Sequence, residues 1–456
     1  MSDPARCCSL PLRLILPLML LALLVRGGVM TWRYDHLQQD PDAYRLLAEN
    51  LANHNVYGQV DANGQTRPTA FRPPGYPWLL SWFVTDGQLG SPAAAALNLA
   101  FGLATVGLVF AIGSRLQSQA TGFVAAALVA IDPILLGQST LVMTETLATM
   151  LAALIWWLFL RNEATLQPSG SSRATFAWSI ALAVSLAAGF FCRPVFIVWA
   201  AWMLLMLFLR GRRQVGRTAI TIATVGLVMV LAVGGWTWRN QSAMGKPIWA
   251  TTHGGYTLLL GNNPSFYEYL AEAKVGEKWD ADFFHQRWAD RFSADPREPA
   301  FWTAETIDTS HAAAPLGEID DDRLAYESAK ATIRRQPQMF VASCLVRLGR
   351  LWSPMPHAGD YSNLLRYAIG SFYVALFACC LLGIWRLGRR LMSPAWMAML
   401  LLAIALSCVH SIYWSNMRMR SLATPLIAVV ASVGILGDRQ RQPSQPSPIV
   451  PLKSQD

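Results

Sequence analysis

Apolar runs of about twenty residues, nearly free of charge, recur along the chain between residues 10 and 437. No other feature restricts the fold as much. A helix rising 1.5 Å per residue needs about 20 such residues to cross about 30 Å of hydrocarbon. In that medium the backbone must satisfy its own hydrogen bonds, which makes each run a helix. A soluble bundle is excluded, because runs apolar on every side offer no face to water. Composition agrees: the 456 residues are 53% hydrophobic and 14% charged, against about 25% charged in ordinary soluble domains.

The runs fall at 10–32, 88–114, 117–136, 143–160, 175–192, 194–209, 218–238, 367–385, 394–415 and 421–437. The expected fold is therefore an all-α polytopic membrane protein of about ten transmembrane helices, within a range of eight to twelve. Segment 76–84 is apolar but short, which predicts an interfacial or partial helix. Leu14 to Val25 has the length of a signal-peptide core, yet no small-residue cleavage site precedes Arg26, so the run reads as a retained anchor. Cys7 and Cys8 lie before it, which disfavours a cleaved lipoprotein signal, and none of the seven cysteines has metal-ligand spacing.

Basic residues set the orientation. Arg115, Arg161 to Arg173, Arg210 to Arg217, Arg386 to Arg390, and Arg439 with Arg441 share one side if both termini are cytoplasmic. The net charge of +9 is thus a topological signal, and nucleic-acid binding is excluded. The outer side then carries a first loop, 33–87, and a long loop, 239–366. The membrane domain spans 1–437, and 438–456 reads as a disordered inner tail rich in Gln, Pro and Ser. In the long loop, residues 238–264 read as irregular and 274–328 as containing helices. Tyr326 to Trp352 reads as an amphipathic helix broken near Gln336-Pro337, with Arg347 and Arg350 towards lipid headgroups. Three arginines break the charge rule at short outer turns: Arg193, Arg418 and Arg420. Apart from His410, the spans carry almost no ionisable group in their middles, which disfavours a channel or pump.

The outer polar stretches carry the candidate chemistry. Asp40 and Asp42 precede Tyr44, Leu47, Ala48 and Leu51 at helical spacing, so they sit at the start of a short interfacial helix. A carboxylate fixed there is a candidate general base, and otherwise a solvated loop residue. Arg72-Pro73-Pro74-Gly75-Tyr76-Pro77 is a stiff elbow whose arginine suits phosphate recognition. Glu145 follows Thr144 at a span start, and two readings stay open: a helix cap, or a second active-site carboxylate. Arg418 and Arg420 either reach to headgroups or form a site for a phosphodiester, with His410 as packing or a hydrogen-bond partner. There is no HExxH, phosphate-binding P-loop, dinucleotide fingerprint or cysteine zinc site.

Together these segments resemble the GT-C superfamily of polytopic glycosyltransferases, in the branch of bacterial protein O-mannosyltransferases and aminoarabinose transferases (family 39-like). The resemblance rests on Asp40 and Tyr44, the Arg72 elbow, Thr144-Glu145, Arg193-Pro194 and Arg239-Asn240. It continues through Thr252-His253-Gly254-Gly255-Tyr256, Gly261-Asn262-Asn263-Pro264, and Arg418-Met419-Arg420 with Pro425. It implies a polyprenyl-phosphate-linked sugar donor, an acceptor lipid, glycan or protein, and a site on the outer face of the inner membrane. It makes Asp40 the base, Asp42 its possible substitute and Glu145 a supporting acid. Arg72, Tyr44, Arg193, His253, Asn262, Arg418 and Arg420 would bind the lipid phosphate or sugar. Some members use a divalent metal, for which Asp40, Asp42 and Glu145 are the available ligands. Other functions that suit many spans and a long outer loop are an O-antigen ligase or polymerase, and a lipid-linked sugar transporter or flippase.

Overall fold

The protein is described from a computed structural model covering residues 12–437, apart from 62–63, 212–213, 273–278, 305–309, 311 and 359–360. Cys7, Cys8, Arg212, Arg213, Arg439, Arg441 and the expected disordered tail lie outside the described residues.

The chain opens with the apolar helix α1 (Leu12–Trp32), followed by two short helices, α2 (Tyr44–His54) and α3 (Gly75–Ser81). A small hairpin, β1 (Gly58–Val60) with β2 (Thr66–Pro68), lies between them. Then come α4 (Ser91–Leu116), α5 (Gln119–Ala130), α6 (Pro133–Gln138), α7 (Glu145–Thr165), α8 (Ser172–Cys192), α9 (Val195–Arg210) and α10 (Val215–Met244). The long polar segment folds into α11 (Gly254–Leu260), α12 (Pro264–Glu272), α13 (Asp282–Ala289), α14 (Pro299–Thr303), α15 (Glu318–Arg335) and α16 (Pro337–Leu351). Three apolar helices close the chain: α17 (Asn363–Leu387), α18 (Pro394–Ile412) and α19 (Thr424–Leu436).

Seven of the ten expected spans are helices long and apolar enough to cross a membrane. The remaining three are α5 and α9, apolar but only 12 and 16 residues long, and α7, whose 21 residues are buried on almost every side. The protein is a multi-pass membrane protein, and α7 and α19 form the centre of its bundle. Close helix contact there depends on small residues: a Cβ on Gly434 would lie 1.9 Å from the Cys379 carbonyl oxygen, so α19 reaches α17 only through glycine. Trp32, Trp78, Trp82, Trp238 and Trp249 are all exposed near the polar segments, the position of an interfacial aromatic belt.

The polar segments gather on one face. There α11 to α15 enclose a second hydrophobic core around Phe266, Trp279, Phe284, Trp288 and Trp302. The helix break at Gln336-Pro337 falls as expected, between α15 and α16. The stretch expected to be irregular from 238 to 264 is irregular only at 245–253 and 261–263, because α10 continues to Met244 and α11 occupies Gly254–Leu260. Arg347 and Arg350 do not face headgroups. Arg347 is fully buried and donates to the Ser411 carbonyl at 2.7 Å and to the Gly261 carbonyl. Arg350 lies among the rings of Phe266, Tyr269 and Trp414. It is Val341 and Leu345 that point outward from α16. A second ionisable group also lies inside a span: Arg26 of α1 is 1% exposed, packed on Gly102 and donating to the Val129 carbonyl at 3.1 Å.

Candidate active site

The site forms where α2, the Arg72 elbow, the starts of α7 and α9, and the turn before α19 meet. The chain enters α2 through Ala43, whose φ of 60° and ψ of 22° place it in the left-handed region, at a cost of about 1–2 kcal/mol for a residue with a Cβ. The two aspartates that precede it have different partners. Asp40 serves the helix: its Oδ1 accepts the Arg45 amide at 3.1 Å and its Oδ2 the Leu46 amide at 2.9 Å. Asp42 faces the elbow, where Arg72 Nη2 donates to its Oδ1 at 2.7 Å and Arg72 Nε to its carbonyl at 3.1 Å. The Arg72 guanidinium lies over the Phe71 ring at 4.4 Å. His253 meets Phe71 edge-on at 4.8 Å and stacks on Tyr256 at 5.1 Å. Burial, reinforced by Arg72, pushes the His253 imidazole down to about 3, so it is neutral at physiological pH.

The second half of the site centres on Glu145, which is 0% exposed. Arg193 Nη2 donates to its Oε1 at 2.8 Å, and Arg418 Nε stands 3.6 Å from the same oxygen. The capping reading gives way here. Thr144 makes no side-chain cap, and its hydroxyl accepts Arg193 Nε at 2.9 Å. Glu145 Oε2 and the neighbouring Tyr76 hydroxyl are buried without a hydrogen-bond partner among the described residues. Tyr44 joins the two halves. It packs edge-on against Tyr76 at 5.5 Å and feels the charges of Arg72, Asp42, Arg193 and Glu145. Burial, the largest cause, pushes its hydroxyl up to about 12. Three arginines (72, 193 and 418) thus meet two carboxylates (42 and 145), which leaves one positive charge in excess.

Two expected site residues are committed elsewhere. Arg418 and Arg420 lie in a 3-10 turn, Met417–Ala423, where residues two apart point about 120° away from each other. Arg418 therefore reaches Glu145, whereas Arg420 donates to the Leu351 carbonyl at 2.9 Å and stacks on Tyr373 at 4.5 Å. Asn262 fastens α11 to the end of α18, donating to the Leu258 and Ile412 carbonyls at 2.7 and 3.1 Å. His410 contacts the Trp414 carbonyl at 3.2 Å through Nδ1. Among the described residues no group of three His, Cys, Asp or Glu side chains could hold a metal. With Glu145 already bound by two arginines, the donor set does not suit a divalent cation, and no step is assigned to one.

Beside this cluster a groove of about 520 Å³ is lined by Leu51, Tyr57, Pro74, Phe191, Leu231 and Trp236. Its rim adjoins the elbow, since the Tyr57 hydroxyl donates to the Arg72 carbonyl at 2.8 Å. Tyr76 reads in the sequence only as part of the elbow and not as a site residue, and this groove, whose walls come from four separate segments, has no local signature.

The first loop and the final turn thus build a polar site at one face of a multi-pass helical bundle. Comparison with known proteins finds similar chains. Residues 71–238, which contain Arg72, Glu145 and Arg193, match the family described as dolichyl-phosphate-mannose-protein mannosyltransferase. Among solved structures, the chain is similar to the oligosaccharyltransferase AglB from Archaeoglobus fulgidus in complex with an inhibitory peptide and a dolichol-phosphate. That match has a TM-score of 0.53 at 16% identity, over 92% of this chain and 50% of that one. The same organism's enzyme tethered with an acceptor peptide matches at TM-score 0.54 and 16% identity, over 92% and 49%. A looser likeness is to ArnT from Cupriavidus metallidurans bound to undecaprenyl phosphate, at TM-score 0.41 and 14% identity, over 94% and 78%. The chain spans about half the length of the oligosaccharyltransferases it matches. No curated protein matches the sequence.

Proposed function

We propose that the protein is a membrane glycosyltransferase that moves a sugar from a polyprenyl-phosphate-linked donor to an acceptor on the outer face of the inner membrane, with both termini cytoplasmic. The observation that carries this reading is the excess positive charge of the Arg72–Arg193–Arg418 cluster beside an apolar groove. A prenyl chain suits the groove, and a phosphodiester, with its single negative charge, suits the cluster. The matched family's description and the dolichol-phosphate in the AglB complex support the same substrate class.

Asp42 is the favoured base. Both Asp40 oxygens are taken by α2 amides, while Asp42 acts electrostatically on Tyr44 and Arg193 inside the site. Asp42 accepts the proton of the acceptor hydroxyl as its oxygen attacks the anomeric carbon. The anomeric C–O bond breaks, and the lipid phosphate leaves with the bonding pair, gaining a negative charge. Arg193 and Arg418 stabilise that charge as it develops, in a site largely closed to water. Arg72 holds Asp42 in place.

Binding of undecaprenyl phosphate and undecaprenol to the purified protein, measured by native mass spectrometry, tests this reading. Wild type should favour the phosphate, and Arg418→Gln should lose about tenfold of that preference, as expected for one charge-assisted contact. Equal binding of phosphate and alcohol by wild type would overturn it.

A further inference from the structure

Arg72 and His253 come from segments far apart in sequence, and one carboxylate holds both segments in register. Glu318, the first residue of α15, accepts three donors. Thr69 Oγ1 donates to its Oε2 at 2.6 Å, across 249 residues of sequence. The Ala70 amide donates to Oε1 at 3.1 Å, and Thr252 Oγ1 donates to the same oxygen. The pattern continues around it. Thr69 Oγ1 accepts the Phe71 amide at 2.9 Å, and the Ala70 carbonyl accepts the Thr252 amide at 3.0 Å. One turn along α15, Asp322 accepts the Gly255 amide at 2.7 Å. Thr69 and Thr252 are both buried, so water does not readily replace these bonds.

We propose that Glu318 is a positioning residue for the transfer site, setting Arg72 and His253 through the 69–71 and 252–253 backbone. This rests on the proposed transferase function. The chemistry requires a carboxylate, which has about four lone-pair sites on two oxygens. A glutamine offers one acceptor oxygen, and its NH2 would point at one of the three donors. The hydrogen bonds run directly to the residues flanking Phe71-Arg72 and His253, which is why displacement is transmitted to Arg72 and, through it, to Asp42. Asp320 of the same turn pairs with Arg323 and serves as the control.

The experiment compares wild type, Glu318→Gln, Thr69→Val, Thr69→Ser and Asp320→Asn in the full chain, with two readouts. Hydrogen exchange of segments 70–72 and 252–255 should accelerate at least tenfold in Glu318→Gln and Thr69→Val, and remain as in wild type in Thr69→Ser and Asp320→Asn. Sugar transfer from a polyprenyl-phosphate donor should show kcat lowered about tenfold by Glu318→Gln, with KM nearly unchanged. In an Arg72→Ala background, Glu318→Gln should lower kcat no further. A further tenfold loss in that background would mean that Glu318 does not act through Arg72, and would overturn the proposal. So would unchanged exchange in Glu318→Gln, whatever the transfer assay gives. Failure of wild type to transfer from any such donor would instead count against the transferase reading, and exchange alone would then decide the positioning role.

Discussion

Removing Arg193 should strand the Glu145 carboxylate, and the geometry gives the size of the effect. Glu145 is 0% exposed and Arg193 is 2.8 Å away with its side chain 16% exposed, whereas Arg418 is 3.6 Å away and 32% exposed. Removing one partner of a buried ion pair costs about 3–5 kcal/mol, because the remaining charge has lost its compensation. Arg418 still compensates part of that charge, so Arg193→Ala should sit near the lower end, about 3 kcal/mol. Removing both partners leaves no stranded charge. Arg193→Ala with Glu145→Ala should therefore cost less than the two single changes summed, with a coupling of about 2 kcal/mol. Reversible unfolding by SDS titration in mixed micelles gives all four corners of the cycle. Additive single and double changes, with coupling below about 0.5 kcal/mol, would refute the view that this pair is energetically linked.

Gly255→Ala should push α11 away from α15, because its Cβ would lie 2.1 Å from the Asp322 carbonyl oxygen; a loss of about 1–3 kcal/mol is expected, read by denaturant unfolding, and wild-type stability would contradict it. Arg420→Gln should lower stability while leaving undecaprenyl phosphate affinity intact, and Arg418→Gln should lower affinity with a stability loss smaller than that of Arg193→Ala, because Arg193 still pairs with Glu145; parallel unfolding and binding measurements check both. Burial raises the Asp322 carboxyl from 3.8 to about 6, against the opposing Gly255 amide. Between those values the folded state binds more protons than the unfolded one, so the contribution of Asp322 to stability falls as pH rises through about 4 to 6. The stability of wild type minus that of Asp322→Asn should therefore decrease across that window, and an increase would contradict the assignment.

Local pattern carried much of the architecture. The spacing of Tyr44, Leu47 and Ala48 marked α2, all three being buried, and Gln336-Pro337 marked the break between α15 and α16. The charge-rule exceptions Arg193 and Arg418 do converge on Glu145. What periodicity could not reveal was which groups far along the chain would satisfy a buried charge. Arg347 is held by carbonyls of residues 261 and 411, and Arg350 by rings from two other segments. Arg26 was hidden because averaging hydropathy over about 20 residues absorbs a single charge. Arg420 diverged from Arg418 because the turn between α18 and α19 is a 3-10 turn, and nothing in Met417-Arg418-Met419-Arg420 fixes its pitch. The Glu318 contacts span about half the chain and have no local signature.

The proposed reaction is sugar transfer from a lipid phosphate with a first-loop aspartate as base. Its decisive test is transfer of radiolabelled sugar from polyprenyl-phosphate donors in membranes, comparing wild type, Asp40→Asn and Asp42→Asn at equal expression. Wild type should be active, Asp42→Asn should lose at least about a hundredfold, and Asp40→Asn should show a smaller loss that follows the stability of α2. Loss confined to Asp40→Asn would move the base two residues. Transfer that survives both substitutions would contradict the mechanism and turn attention to a ligase whose chemistry lies in the long outer segment.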